Sequence, residues 1–357
     1  MRLRISLPSF SKAQYSAAVD PSTRPPLSVA VQQLADFLRS GRPNTTVLTG
    51  AGVSTDSAIP DYRGKNGTYT LNPDYKPVFY QEFATSDAAR HRYWARSFLG
   101  FPPVMTTLPN PTHYALAALQ ARSQNQEHAL KDHSGYIRTL VTQNVDGLHQ
   151  KAGTKDVIEL HGTLHWVKCL SCGHERDRSE FQQILANLNP EWNELVQSNN
   201  TTSLYSRMNA DGDVELNIPA QQDPPHQRTL DYRSFQYPTC SNCGTGHYKP
   251  SVVFFGENVP PAVKERSRQA ILEADRLLVI GTSLATYSAY GLVKLAKDAG
   301  IPIAMINLGY SRGDDLADLR YDESSTHLLK AVANELGLGE IPGVIKHRER
   351  ALNVVGS

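Results

Sequence analysis

Nothing in the 357-residue chain amounts to a run of about 18 apolar residues, so no segment has the make-up of a helix that crosses a bilayer. Charge of one sign is also missing, because 36 Lys and Arg stand against 35 Asp and Glu for a formal net charge of +1. A chain so balanced lacks the broad basic surface that draws a polyanion, and neither nucleic-acid binding nor membrane insertion is expected of it. Acid is absent before Asp20, while Arg2, Arg4 and Lys12 stand among several serines. That is the composition of a mitochondrial presequence, without the uninterrupted apolar stretch of a secretory signal, and it predicts a place in the mitochondrial matrix. A disordered tail is the alternative. "DPSTRPP" from Asp20 reads as a linker, and folded sequence is expected from about Leu27.

What is present is enough for a sizeable core, with 40% of residues hydrophobic. "LSVAVQQLADFLRSG" carries apolar residues at helical spacing and a stopping Gly41. It leads into "TTVLTGAGVSTDSAIPDYRG", a β-branched run that breaks into a glycine turn. Further β-like runs lie at "YIRTLVTQNVDGL", "RLLVIGTSL" and "IPIAMINLG", with the helical stretches "PPAVKERSRQAILEAD" and "YSAYGLVKLAKDAG" before the last two. Alternating strands and helices imply an α/β protein with a doubly wound parallel sheet, and ligands at the carboxyl ends of its strands. The alternation fails between Cys169 and Cys243, where the chain is polar and rich in Asn, Gln and Pro. A small inserted domain with a long loop near 197–230 is expected there.

All four cysteines fall into two Cys-x-x-Cys pairs, Cys169 with Cys172 and Cys240 with Cys243. Two such turns can present four thiolates tetrahedrally, which predicts one structural zinc with no open position for water. Two disulfides or an iron–sulfur cluster are the alternatives. With four thiolates available, His161 and His165 in "IELHGTLHWVKCLSCG" are not needed as ligands, and each is either a satisfied structural histidine or a base. "GAGVS", Gly50 to Ser54, resembles a phosphate-cradling turn. It departs from the dehydrogenase fingerprint, since Ser57 and Ala58 stand where a third glycine is expected. "QNVDG" places Asn144 and Asp146 two apart at a strand's end, so an extended backbone would turn both to one side; a turn-forming cluster is the alternative.

Together "GAGVSTDSAIPDYRG", "TQNVDGLHQKAG", "ELHG", the two cysteine pairs, "KPSVVFFGE", "GTSL" and "NLG" stand in the order seen in sirtuins, the NAD-dependent protein-lysine deacylases, and the chain resembles that family from about Leu27 to Lys330. "RYWARSF", "MNADGDVEL" and "RGDDLADL" resemble its class II, mitochondrial sirtuin-four-like subgroup. Ala58 stands where the family usually has glycine, and Tyr62 where Phe is commoner. The resemblance implies a Rossmann-like fold with a small zinc-binding domain inserted. Its parts would be a presequence and linker (1–26), the first part of the NAD-binding domain (27–168), the zinc insertion (169–245), the second part (246–340) and a tail (341–357).

NAD is then the co-substrate. The resemblance implies a pyrophosphate site at Gly50, Ala51, Gly52 and Ser54, with Asp61, Tyr62 and Arg63 nearby. Gly281, Thr282, Ser283, Asn307, Leu308, Gly309 and Ser325 would hold the adenosine half, and Gln143, Asn144, Val145 and Asp146 the nicotinamide riboside. By the same resemblance, twisting the nicotinamide out of conjugation promotes its departure, and the acyl-lysine oxygen attacks the ribose carbon it leaves. His161 is the base implied for the ribose hydroxyl that attacks next, since a hydroxyl is too weakly acidic to react unaided at neutral pH. The acylated peptide would pair with Val253, Phe254, Phe255 and Gly256. Tyr93 and Arg96, three apart in "RYWARS", resemble the Tyr-x-x-Arg of sirtuins that remove acidic acyl chains. A solvated basic helix with Arg90, Arg92 and Arg96 outward is the alternative. Two other readings of the whole are mono-ADP-ribosyl transfer to protein and a non-catalytic NAD-sensing scaffold; intact Asn144, Asp146 and His161 speak against the second.

Overall fold

A computed structural model describes residues 24–40, 44–73, 75–121, 135–198, 208–214 and 231–338. The presequence and the C-terminal tail, and most of the polar loop near 197–230, lie outside the described residues. The main sheet has six strands in the order β3-β2-β1-β7-β8-β9, from β1 (Thr45–Thr49), β2 (Ile137–Thr142), β3 (Val157–Glu159), β7 (Arg276–Ile280), β8 (Ile303–Ile306) and β9 (Leu319–Tyr321). Every pairing in it is parallel. All five residues of β1 are buried, as both faces of a doubly wound sheet require.

Period-two alternation divides the strand side chains between two cores. Val47, Leu140 and Leu278 join Leu34, Leu116 and Leu328 of the helices Leu27–Arg39, Pro111–Gln120 and Ser325–Glu335. Leu48, Val141 and Val279 face the other way, onto Ile271 and Val293 of the helices Pro261–Leu272 and Tyr287–Asp298. The first helix buries Ala30, Leu34, Ala35 and Leu38, one stripe at intervals of four. From β1 the strands run outward one way to β2 and β3 and the other way to β7, β8 and β9. The switch point therefore falls between the carboxyl ends of β1 and β7, where such a sheet opens a ligand crevice.

A second module is built on a three-stranded antiparallel sheet, β5-β4-β6, from β4 (Gly162–Cys169), β5 (Glu175–Asp177) and β6 (Tyr248–Val252). It reaches past residues 169–245 at both ends, and it recruits a distant helix, Asp87–Thr106. Trp94 and Phe98 of that helix enter one core with Phe181, Phe235 and Tyr248; Trp94 and Phe181 have ring centroids 4.9 Å apart. Arg178, fully buried, lays its guanidinium 4.3 Å from the Phe101 ring centroid, a cation–π contact strengthened by the absence of water. Arg90 and Arg96 of the same helix are 6% and 2% exposed, so the solvated-face alternative for this helix is overturned. Both guanidiniums point inward because partners wait there: the carbonyl of Phe83 for Arg90 and the carboxylate of Asp213 for Arg96.

Behind the cofactor turn, His113 and His149 are both buried, with ring centroids 4.8 Å apart. His149 Nε2 lies 3.0 Å from Thr49 Oγ1, and the Asn110 N–H donates to His113 Nδ1 at 3.3 Å. Burial pushes the His149 pKa down to about 3 and holds His113 well below the ordinary range, with the neighbouring imidazole adding to the second shift. Both are neutral when folded and take protons near pH 6.5 when unfolded, so the unfolded chain binds more protons as pH falls and folding weakens. The pair should cost about 3 kcal/mol of stability between pH 6.5 and pH 5, at roughly 1.4 kcal/mol per pH unit for each ring. Urea melts of wild type and His149→Asn at pH 7 and pH 5 check this. The variant should lose about half of that acid sensitivity, and equal losses would refute the neutral buried pair.

Candidate active site and metal centre

Where β1 ends, the chain breaks into the seven-residue 3₁₀ helix Ala51–Ser57, and where β7 ends it turns at Gly281 with φ +60°. The two turns meet backbone to backbone: the Gly52 N–H donates to Gly281 O at 2.9 Å. A Cβ on Gly52 would stand 2.9 Å from Gly281 Cα, so only glycine fits. Gly50 is held the same way, its N–H on Ile280 O at 3.1 Å. Beside this junction a cavity of about 1490 Å³ opens, larger than a single drug-sized ligand needs.

Most residues singled out in the sequence line that cavity. They include Ala51, Gly52 and Ser54 of the turn, Asp61, Tyr62 and Arg63 of the loop that follows, and the run Gln143 to Asp146 after β2. Gly281, Thr282 and Ser283 follow β7, and Asn307, Leu308 and Gly309 follow β8. Tyr93 and the segment Val253 to Gly256 complete the set. Gly50, Arg96 and Ser325 are not in the lining; Ser325 Oγ instead lies 2.9 Å from Thr112 Oγ1.

Ser54 ties the two polar residues of "QNVDG" together. Its hydroxyl donates to Asp146 Oδ2 at 2.7 Å and accepts from Asn144 Nδ2 at 3.1 Å. Asp146 also accepts from the Leu148 N–H at 2.9 Å. Burial raises its pKa, and those hydrogen bonds work in the opposite direction. Gln143 is locked as well, its Nε2 donating to Thr49 O at 3.1 Å and Thr282 Oγ1 at 2.9 Å.

His161 and His165 separate cleanly. His161 lines the cavity; its Nδ1 lies 3.2 Å from Gln143 O and its Nε2 2.8 Å from Ser288 Oγ. A carbonyl can only accept, so Nδ1 carries the proton and Nε2 keeps its lone pair toward Ser288. Burial pushes the His161 pKa down to about 4, against the pull of the Gln143 carbonyl, and the ring is neutral at pH 7. Gly162, at φ +79°, pins it: a Cβ there would stand 1.9 Å from Ser251 O. His165 lies outside the lining, with Nε2 3.3 Å from Asp146 O.

The substrate-side segment is braced from several directions. The Val253 N–H donates to His161 O at 2.8 Å, the Tyr80 N–H to Phe255 O at 2.9 Å, and the Phe254 N–H to Glu257 Oε2 at 2.9 Å. Lys249, 6% exposed, pairs with Glu257 at 3.0 Å and so ties the strand before the segment to the residue that ends it. Sequence reasoning passed over Lys249, Glu257, Ser288 and the pair Asp211 and Asp213. Only the cluster in "MNADGDVEL" hinted at the last two, since their contacts are made with chain more than 100 residues away.

The four cysteines come together as free thiols whose sulfurs all lie within 4.8 Å of one another. Cys169 and Cys243 are 3.8 Å apart and Cys172 and Cys240 3.7 Å, close to the edge of about 3.8 Å that a tetrahedron with Zn–S bonds of ~2.3 Å requires. The N–H groups of Ser171, Asn242 and Gly246 point at three of the sulfurs, at 3.4, 3.4 and 3.3 Å, as they would to stabilise thiolates. The cluster suits one structural zinc.

Residues 50–288 match the Sir2 family. The chain belongs to that family. It is 45% identical over 313 residues to an "NAD-dependent protein deacylase SIR4" of Batrachochytrium dendrobatidis, covering 86% of this chain and 94% of that one. Identity is 39% over 315 residues to the Bos taurus "NAD-dependent protein lipoamidase sirtuin-4, mitochondrial", over 88% and 89% of the two chains. Among solved structures, one described as "Sir2-p53 peptide-NAD+" superposes with a TM-score of 0.59 at 27% identity, covering 87% of this chain and 99% of that one. In this Sir2-family chain the metal should carry structure. Purified protein should hold about one zinc per chain, and Cys240→Ser should lose it and lower the melting temperature by ten degrees or more, since metal binding and folding are linked. Atomic absorption and a thermal melt test this; full stability in metal-free protein would refute it.

Proposed function

We propose that this chain is an NAD-dependent protein-lysine deacylase in which His161 is the base, Asn144, Asp146 and Ser54 form the nicotinamide-riboside site, and the segment Val253–Gly256 receives the acylated peptide. The observation that carries the reading is the placement of His161: it faces the cavity with an unprotonated Nε2 and is fixed through Nδ1 to Gln143, the residue before the Asn144–Ser54–Asp146 cluster. A positioned neutral imidazole can take a proton from a ribose hydroxyl at Nε2, where the Ser288 hydroxyl now sits.

Each other residue has a task its surroundings fit. Asp146 and Asn144, joined by Ser54, present a carboxylate and an amide at the carboxyl end of β2, where a carboxamide and ribose hydroxyls need partners. Gly52 has no Cβ and its N–H is already given to Gly281, so its contribution is close approach to a pyrophosphate rather than a free donor. Asn307, at the end of β8, offers its side chain to the adenosine ribose. An extended peptide laid along Val253–Gly256 would add a strand between the two modules. Solved Sir2 structures described with a propionylated peptide and with a p53 peptide and 3′-O-acetyl-ADP-ribose support such a substrate and product. The acid-free leader and the mitochondrial name of the bovine relative support a place in mitochondria, and within them the matrix.

His161→Ala should keep NAD binding and lose acyl-peptide turnover by about 10²–10⁴-fold, while His165→Ala should lose far less. Nicotinamide release from a panel of acyl-lysine peptides measures both, and equal, mild losses would refute the assignment. Mass spectrometry of the products separates acyl transfer from its rival. An acylated ADP-ribose marks deacylation, and an ADP-ribosylated protein with the acyl peptide intact marks mono-ADP-ribosyl transfer.

A further inference from the structure

We infer that Asp213 sets the charge preference of the acyl pocket, by acting as an internal carboxylate on Arg96; the inference rests on the deacylase reading above. Residues 208–214 form a tight loop that belongs to the zinc insertion yet sits against the helix Asp87–Thr106. Met208 bridges to Val214, the Asn209 N–H donates to Asp213 O at 2.8 Å, and the Val214 N–H donates to Arg96 O at 3.1 Å. The contact is too close for any side chain between them: a Cβ on Gly100 would stand 2.5 Å from Gly212 O. On its other side the loop reaches the apolar wall of the cavity, where a Cβ on Gly212 would stand 2.7 Å from Leu164 Cδ1 and 3.2 Å from Val104 Cγ2.

At the tip of this loop, Asp213 Oδ1 meets Arg96 Nη2 at 3.0 Å, with the two side chains 4% and 3% exposed. Asn209 Nδ2 donates to the same carboxylate oxygen at 2.8 Å. Arg96 also stacks its guanidinium 5.4 Å from the Tyr75 ring centroid. Next along the loop, Asp211 accepts from the hydroxyls of Tyr62, at 2.6 Å, and Tyr75. Asp211, Gly212 and Asp213 line the cavity together with Tyr93, whereas Arg96 does not. The acyl chain therefore meets the carboxylate side of the ion pair.

An acyl chain ending in a carboxylate can reach Arg96 only by displacing Asp213. The loop carboxylate has the advantage of being tethered in place, so its effective concentration is high. A second carboxylate pressed beside it, out of water, raises the cost further, because like charges in a buried site cannot both stay ionised cheaply. A neutral chain lying against Tyr93, Val104 and Leu164 meets no such competition. Asp213 thus weakens acidic chains relative to neutral ones, and the charge preference lies in the pair rather than in Arg96 alone.

The test compares peptides that differ only in the acyl group on one lysine, with affinity read by fluorescence anisotropy on the zinc-loaded full chain. In Asp213→Asn, which keeps the shape and the acceptor for Asn209, the affinity ratio of glutaryl to acetyl peptide should rise at least tenfold over wild type. Asp213→Ser should move it the same way, and adding Arg96→Met to either should abolish the gain. Wild-type protein should also bind the peptide whose glutaryl carboxylate is replaced by a carboxamide at least as tightly as the acid, a comparison that needs no variant to fold. The inference is overturned if a folded Asp213 variant keeps the wild-type ratio within threefold, or if wild type favours the acid over the carboxamide tenfold. Binding needs no turnover, so the two readings fail separately. A shifted ratio without nicotinamide release would defeat the deacylase reading alone, and release with an unshifted ratio would defeat this inference alone.

Discussion

The contact between Gly52 and Gly281 is the constraint on which the rest of the site depends. Two strands that are neighbours in the sheet but far apart in the chain end at the same height, and their turns can touch only because neither carries a Cβ. That closeness brings Thr282 within reach of Gln143, and Gln143 in turn fixes both its own loop and, through its carbonyl, the ring of His161. A larger residue at either glycine would force the turns apart and loosen Gln143, and with it the hold on His161 and Thr282. The switch point is thus a mechanical junction as well as a crevice.

The sequence was legible where one local rule decides the outcome. β1, β7 and β8 carry unbroken apolar or β-branched runs that only a strand buried on both faces would use, and each stands where its run predicts. Two Cys-x-x-Cys pairs with no cysteine left over predict a four-thiol cluster, because two such turns can supply all four ligands of one tetrahedral site. Legibility ended where partners come from distant chain. A helix with Arg at positions 90, 92 and 96 has the same local pattern whether it is solvated or buried, and the partner that holds Arg96 inward, Asp213, lies more than 100 residues on. Ser288 was invisible for a related reason: nothing about a serine near the start of a helix says that a histidine in the turn before β4 will lie 2.8 Å away. Likewise β4 and β6 were assigned to the large domain by sequence position, since antiparallel pairing across 80 residues of inserted chain leaves no local trace.

The two modules are joined by a short stretch of backbone rather than by a flexible hinge. His161 ends the run that follows β3 of the large sheet, and Gly162 begins β4 of the small one, so His161 stands at the boundary itself. The same boundary is crossed in the other direction at Val252 and Val253, where β6 ends, and the two crossings are bonded to each other through His161 O and the Val253 N–H. Gly162 has no room for a side chain against Ser251, so the crossings cannot slide past one another. His161 and the segment after β6 are therefore tied directly to each other through backbone, as the proposed roles of base and peptide-receiving segment would need. A peptide that adds a strand there is placed relative to Nε2 of His161 by backbone alone, whatever its side chains.

The two sides of the cavity are built in different ways. Everything around His161, Gln143 and the Asn144–Ser54–Asp146 cluster is fixed by backbone contacts and by hydrogen bonds between residues at strand ends. The far wall of the cavity is made differently, from one helix, Asp87–Thr106, and from a loop, 208–214, that the insertion folds back onto it. That loop is anchored instead on side chains, with Asp211 on the Tyr62 hydroxyl, Asp213 on Arg96 and Gly212 against Leu164. Changing it would change the charge that the acyl chain meets, since the loop supplies Asp211 and Asp213 while the helix supplies Arg96. On the proposed reading, the surroundings of the acyl chain are accordingly set by the inserted loop together with the helix Asp87–Thr106, and the chemistry by residues at the carboxyl ends of the sheet strands.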